Sequence, residues 1–185
     1  MSLRLFTALT IPGNLAEDLS RFMRGVGGAS WRPPETLHIT LQFYGEVMEP
    51  DAADLDSALE EATSALAPFP LGLKGAGFFG KEEPGSIWIG VAESEGMKAL
   101  AAACARAARR IGAPIEPRKF APHVTMAYLH GATPAGAQAF ATRHALYESR
   151  SWIVDRFGLF SSFRRKSGPS LYREEAAYPL LGCAR

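Results

Sequence analysis

Residues 31–47 read WRPPETLHITLQFYGEV, and residues 117–131 read PRKFAPHVTMAYLHG. Each run carries proline before a histidine, alternates from that histidine onward and meets a glycine within nine residues. In an extended chain, residues two apart point to the same side. His38 and Thr40 therefore share one face of the first strand, with Ile39 and Leu41 on the other. His123 and Thr125 repeat the arrangement against Val124 and Met126. Each strand has one apolar face suited to packing beneath helices and one face that presents an imidazole beside a hydroxyl. The second motif follows the first at an offset close to half the chain of 185 residues. A single repeat is too little for a solenoid. It suits two related lobes that face each other.

Outward from these strands, LRLFTALT (3–10) reads as an opening strand broken at Pro12-Gly13. Leu15, Leu19, Phe22, Met23 and Val26 recur at helical spacing and predict a helix over 14–26, followed by a loop, GGASWRPPE. Asp51 reads as the N-cap of a helix over 51–66 that places Leu55, Leu59, Ala62 and Leu66 on one face. FPLGLKGAGFF and SIWIGVA read as strands around the turn-rich GKEEPG. An Ala-rich helix is predicted over 96–111, with Arg109 and Arg110 favourably placed in its last turn and Gly112 as its stop. Thr133-Pro134 marks the start of a helix running to 146. SWIVDRFGLFSS and LYREEAAYPLL read as two closing strands joined by the basic turn FRRKSGPS. This order predicts an α+β fold: two similar lobes with largely antiparallel sheets and flanking helices around a central cleft, forming a single bilobal domain over 1–185.

The composition narrows the classes of function. At 47% hydrophobic and 21% charged residues, the chain has the make-up of an ordinary globular protein. A formal net charge of +1 gives no whole-protein field for polyanions, so nucleic-acid binding would be local, at an end or a short strand. Cys104 and Cys183 form no Cys-x-x-Cys pair and read as reduced thiols of a cytoplasmic protein. The run MSLRLFTALTIPG reads as a strand rather than a signal peptide, and no apolar stretch reaches membrane-spanning length.

Two histidines are chemically useful because imidazole titrates near neutrality, so one can act as base while the other acts as acid. Opening a cyclic phosphodiester needs both, and each kind of help contributes about 10²–10⁴-fold. A threonine hydroxyl beside each could donate to a non-bridging phosphate oxygen. A lone His-x-Thr is common and means little; two in matching contexts mean more. His130 and His144 read as surface or structural residues. No cysteine or carboxylate stands at ligand spacing beside either motif, with Glu46 and Glu116 in predicted loops, so no metal site and no cofactor is expected.

On these residues the chain resembles the two-histidine phosphoesterases, in particular the branch of RNA 2',3'-cyclic phosphodiesterases formerly called 2'-5' RNA ligases. RLFTALTIP, the two quoted motif regions and FGLFSSFRRKSGPSLYREEAAYPL carry the likeness over nearly the whole length. The resemblance implies a bilobal fold with a pseudo-two-fold axis and metal-independent hydrolysis of RNA 2',3'-cyclic phosphate ends to 2'-phosphate ends. It implies that His38 protonates the leaving O3', that His123 activates water, and that Thr40 and Thr125 hold the phosphate. It places a base-stacking aromatic at Phe43, although strict alternation from His38 sends Phe43 to the apolar face unless a bulge intervenes. Relatives often carry arginine where this chain has Tyr128, which could itself stack or donate; Arg118, Lys119, Arg164, Arg165 or Lys166 are candidate replacements for the missing cation. The implied partners are RNA 3' ends or small cyclic nucleotides, with no membrane and no obligate protein partner. The competing readings are a related cyclic-nucleotide phosphodiesterase, a 2'-5' RNA ligase, and a non-catalytic RNA-end binding protein.

Overall fold

The structure is a computed structural model that describes residues 2–113, 120–163 and 170–182. Along the chain run β1 (Ser2–Thr10), α1 (Gly13–Ser20), β2 (Ala29–Trp31), a 3-10 turn (Pro34–Thr36), β3 (His38–Met48) and α2 (Glu49–Thr63). There follow β4 (Phe69–Leu71), β5 (Leu73–Phe79), β6 (Ser86–Val91), α3 (Glu95–Arg110), β7 (His123–Leu129) and α4 (Pro134–Arg143). The chain closes with β8 (Trp152–Val154), β9 (Arg156–Phe163) and β10 (Leu171–Pro179).

Among the described residues, one eight-stranded sheet runs β10-β9-β1-β3-β7-β6-β5, with β2 also paired to β7; β4 and β8 form a separate pair. Every pairing is antiparallel. The two histidine strands meet at the middle of the sheet through Ile39 opposite Val124. Outward from that contact the order is β3, β1, β9, β10 on one side and β7, β6, β5 on the other.

Residues directly opposite in an antiparallel pair point to the same side. Ile39 and Val124 are both fully buried, and so define the core face. α2 packs against β1, β3, β10 and α3, α3 packs against β3 and β4, and α4 packs against β5 and β6. Burying Ile39 or Val124 stabilises by about 1.5–3 kcal/mol each, and a one-residue slip would turn both outward. That contrast fixes the register, and with it the opposite face, to which His38, Thr40, His123 and Thr125 point.

The same irregularity occurs in both strands. Thr7 lies opposite Gln42 and Ala8 opposite Thr40, so Leu41 is an extra residue in β3. Ile87 lies opposite Ala127 and Trp88 opposite Thr125, so Met126 is an extra residue in β7. Each bulge follows directly after the threonine and reverses the alternation beyond it. Leu41 and Gln42 are buried in succession, as are Met126 and Ala127. A second bulge in β3, at Tyr44, is tied down by the phenol's hydrogen bonds with Thr7 Oγ1 (3.2 Å) and Cys104 O (3.4 Å).

Several element boundaries differ from the sequence expectation. α1 ends at Ser20 rather than 26, where the chain tightens into three-residue turns, the Phe22 amide donating to Leu19 O and the Met23 amide to Ser20 O, before Gly25 and Gly28 adopt left-handed φ of 76° and 72°. Phe22 and Met23 still pack against the core, which is why they recur at helical spacing. α2 begins at Glu49, with Pro50 in its first turn and Met48 as its cap, so Asp51 lies inside the helix and complements the dipole there instead of capping it. α4 ends at Arg143 rather than 146, although Thr133 does cap it, accepting from the Gly136 amide. Two expected strands are each divided: Gly72 separates β4 from β5, and Asp155 separates β8 from β9, because β4 and β8 pair only with each other. The expected loop 27–35 contains β2. Cys104 is buried on α3 and its thiol is pushed up to about 12 by loss of solvent, while Cys183 lies outside the described residues.

Candidate active site

Both histidines enter the sheet from proline-containing segments that fix the ring through its own backbone. His38 Nδ1 lies 2.8 Å from Thr36 O, at the end of the 3-10 turn begun by Pro34. His123 Nδ1 lies 2.8 Å from Ala121 O, with Pro122 between them. A carbonyl oxygen only accepts, so Nδ1 must carry the proton in each ring. Each neutral histidine therefore presents an unprotonated Nε2, and each protonated one presents an Nε2–H. The same tautomer is imposed twice, on the same face, by the same i−2 contact.

The register across Ile39 and Val124 makes His38 and His123 diagonal neighbours on adjacent antiparallel strands. Such neighbours stand of the order of 7–8 Å apart, which leaves room for a phosphate between two rings. The surroundings of the two differ. His38 sits 5.4 Å from the Phe6 ring and meets the edge of Tyr172 at 5.2 Å. A cavity of about 280 Å³ opens beside it, lined in part by Phe6, Thr10, Phe160 and Tyr172. Burial lowers the pKa of His38 most strongly, and the charges of Arg32 and His123 lower it further, against the raising effect of the Thr36 carbonyl. His123 is flanked by Phe79 at 4.9 Å and Trp88 at 6.1 Å. A second cavity of about the same volume, lined by Leu71, Lys74, Ser94 and Glu148, contains no histidine, so size alone does not mark the site.

Thr40 and Thr125 lie two residues beyond each histidine on the same face, and neither hydroxyl bonds another described residue. Phe43 and Tyr128 each stand five residues after their histidine, and the bulges at Leu41 and Met126 bring both to the histidine face. They are 52% and 46% exposed, so neither serves as a core residue. Phe43 lies opposite Phe6 and 5.5 Å from its ring, which links it to His38. The bulge corrects the simple alternation that would have buried Phe43.

Sequence reading missed three residues here. Phe6 and Tyr172, read only as parts of strands, form the aromatic wall around His38. Arg32, taken as part of a loop, is 4% exposed, with its guanidinium carbon 5.2 Å from the Tyr172 ring centre and 5.8 Å from that of Tyr128. Its only local signal was its place in the first quoted motif. The candidate cations Arg118, Lys119, Arg164, Arg165 and Lys166 lie outside the described residues, as does Glu116. His144 stacks on Phe22 at 4.2 Å, and His130 is exposed at the end of β7; neither joins the site. Among the described residues no cluster of three or more His, Cys, Asp or Glu is placed to hold a metal ion.

The profile of the 2'-5' RNA ligase superfamily matches residues 12–165. An RNA 2',3'-cyclic phosphodiesterase of Geobacillus stearothermophilus is 31% identical over 183 residues, covering 96% of this chain and 57% of that protein. One from Aeropyrum pernix is 33% identical, covering 77% of this chain and 84% of the other. This chain thus spans less than two thirds of the Geobacillus relative's length. A crystal structure from Thermus thermophilus superposes with a TM-score of 0.82 at 25% identity, covering 97% of this chain and 99% of that one. Escherichia coli LigT complexed with 3'-AMP superposes with a TM-score of 0.79 at 23% identity over the same shares.

Proposed function

The chain belongs to the 2'-5' RNA ligase superfamily, and on that premise we propose that it hydrolyses RNA 2',3'-cyclic phosphate ends to 2'-phosphate ends without a metal ion. The observation that carries this reading is the pair of His-x-Thr segments on one sheet face, diagonal across the β3–β7 contact, with each Nδ1 tied to a backbone carbonyl. Two imidazoles on opposite sides of a bound phosphate suit an in-line displacement. His123 Nε2 takes a proton from water as the new P–O bond forms. The P–O3' bond breaks, and His38 Nε2–H gives its proton to O3'. The product carries a 2'-phosphate and a free 3'-hydroxyl. Thr40 and Thr125 donate to the non-bridging oxygens, and Phe43 and Tyr128 offer rings to the terminal base. The whole chain acts as one bilobal unit, with no obligate protein partner in the reaction. RNA 3' ends and small cyclic nucleotides are the substrates this site suits, in keeping with the names of its relatives. Among the described residues, no helix is long and apolar enough to cross a membrane.

The acid label for His38 comes from family likeness, and one observation favours the exchange of labels: the lowered pKa of His38 favours its neutral form in the free protein. A bound phosphodiester anion opposes that shift. His38 serves as acid if substrate binding brings its proton back, and as base if it does not.

Metal independence has a direct test. Turnover of a short RNA with a 2',3'-cyclic phosphate end is expected to survive excess EDTA unchanged. Loss on chelation, with recovery on adding a divalent ion, would replace this mechanism with a metal-dependent one.

A further inference from the structure

We propose that Arg32 is the fixed positive charge that draws the substrate's phosphate between the two histidines, acting from beneath Tyr128 rather than by touching the reacting atoms. This rests on the cyclic-phosphate reading for its substrate, but not for its charge. Ser30 lies opposite Tyr128 in the β2–β7 pairing, so the two share a face, and Arg32, two residues on, points the same way. The Arg32 amide donates to Met126 O at 2.9 Å, which pins the base of the side chain to β7. Its guanidinium then lies between the rings of Tyr128 and Tyr172, and Tyr172 meets His38 edge-on.

The group is costly where it is. It is 4% exposed, one terminal nitrogen is sealed from solvent with no hydrogen-bond partner, and no described carboxylate lies within ion-pair distance. Two aromatic rings and the Tyr172 hydroxyl offset part of the loss of hydration, but a buried cation without a counter-charge remains unfavourable. An apolar side chain of the same length would fill the space at less cost. A phosphodiester anion beside His38 supplies the missing charge, and because Arg32 is itself buried that attraction is weakly screened and felt without direct contact. The charge also bears on chemistry, because Arg32 opposes protonation of His38 until the anion arrives.

The test compares wild type, Arg32→Met and Arg32→Lys in three measurements: inorganic phosphate affinity, kcat and KM on a short RNA with a 2',3'-cyclic phosphate end, and thermal midpoint. Arg32→Met is expected to weaken phosphate binding and raise KM by about ten- to a hundredfold, the scale of a through-space charge attraction over about 6–10 Å at an effective dielectric constant of about 20. Its thermal midpoint should hold or rise. Arg32→Lys should keep most of the phosphate affinity. Among the described residues, Arg32 and His123 are the charges that act on His38, with Tyr172 against its ring and Glu35 lining the same cavity, so removing the Arg32 cation should move the His38 limb of the kcat/KM profile to higher pH, which a purely structural role would not do. Phosphate affinity and KM within twofold of wild type in Arg32→Met would overturn the proposal. If Arg32→Met does not fold, Arg32→Gln replaces it, and equal phosphate affinity in Arg32→Gln and Arg32→Lys would overturn it as well. If wild type fails to turn over the RNA yet binds phosphate through Arg32, the hydrolase reading fails and the anion site stands.

Discussion

His38→Ala and His123→Ala are each expected to lower turnover by about 10²–10⁴-fold, the contribution of one positioned acid or base. The fold should survive both changes. Each ring is half-buried and bonded only to a carbonyl two residues away, a contact contributing about 0.5–1.5 kcal/mol. Circular dichroism and the thermal midpoint therefore separate lost chemistry from lost structure. The double variant should lose little more than the worse single one, because acid and base act on one transition state and their effects do not add. Thr40→Ala and Thr125→Ala should lose less than either histidine variant, since a neutral hydrogen bond contributes less than a proton-transfer group. Near-normal turnover in either histidine variant would end the two-histidine account. Threonine losses larger than the histidine losses would mean that phosphate binding, not proton transfer, limits the reaction.

The second large effect separates acid from base. A phosphodiester with a nitrophenolate leaving group needs no proton on the departing oxygen. On that substrate His38→Ala should recover most of its lost rate, while His123→Ala, still lacking a base for water, should not. The reverse rescue would exchange the two labels and leave the mechanism standing, which is the outcome that the lowered pKa of His38 in the free protein would favour. Rescue of neither would make at least one histidine chiefly a cation for phosphate. The pH profile carries related information. The wild-type rate should rise and then fall about neutrality, and the limb belonging to His38 should lie at lower pH in kcat/KM, which reports the free enzyme, than in kcat, which reports the complex.

The two motifs were legible because period-two alternation is local: His38 with Thr40, and His123 with Thr125, are assigned to a face by sequence spacing alone. The near-half-chain offset made the repeat visible, but the pairing of the two histidine strands at Ile39 and Val124 is a long-range contact that spacing alone does not give. Phe43 was not legible in the same way. Its face depends on the extra residue at Leu41, and that bulge is defined by pairing with β1, more than thirty residues earlier. The same holds for Tyr128 and the pairing of β7 with β6. Arg32 was hidden for a stronger reason. A charged residue before two prolines reads as solvated loop, and its burial comes from Tyr128 and Tyr172, which arrive from distant strands. The early end of α1 shows the limit of hydrophobic periodicity: Phe22 and Met23 pack as the pattern asks, but they sit in three-residue turns that follow the helix rather than in it.

The measurement that bears most directly on the central claim is the fate of a short RNA ending in a 2',3'-cyclic phosphate, with the position of the phosphate determined in the product. The account predicts conversion to a 2'-phosphate with a free 3'-hydroxyl by the wild-type chain, slowed by about 10²–10⁴-fold in the His38→Ala/His123→Ala double variant. RNA that binds but returns unchanged, or a product carrying a 3'-phosphate, would contradict it.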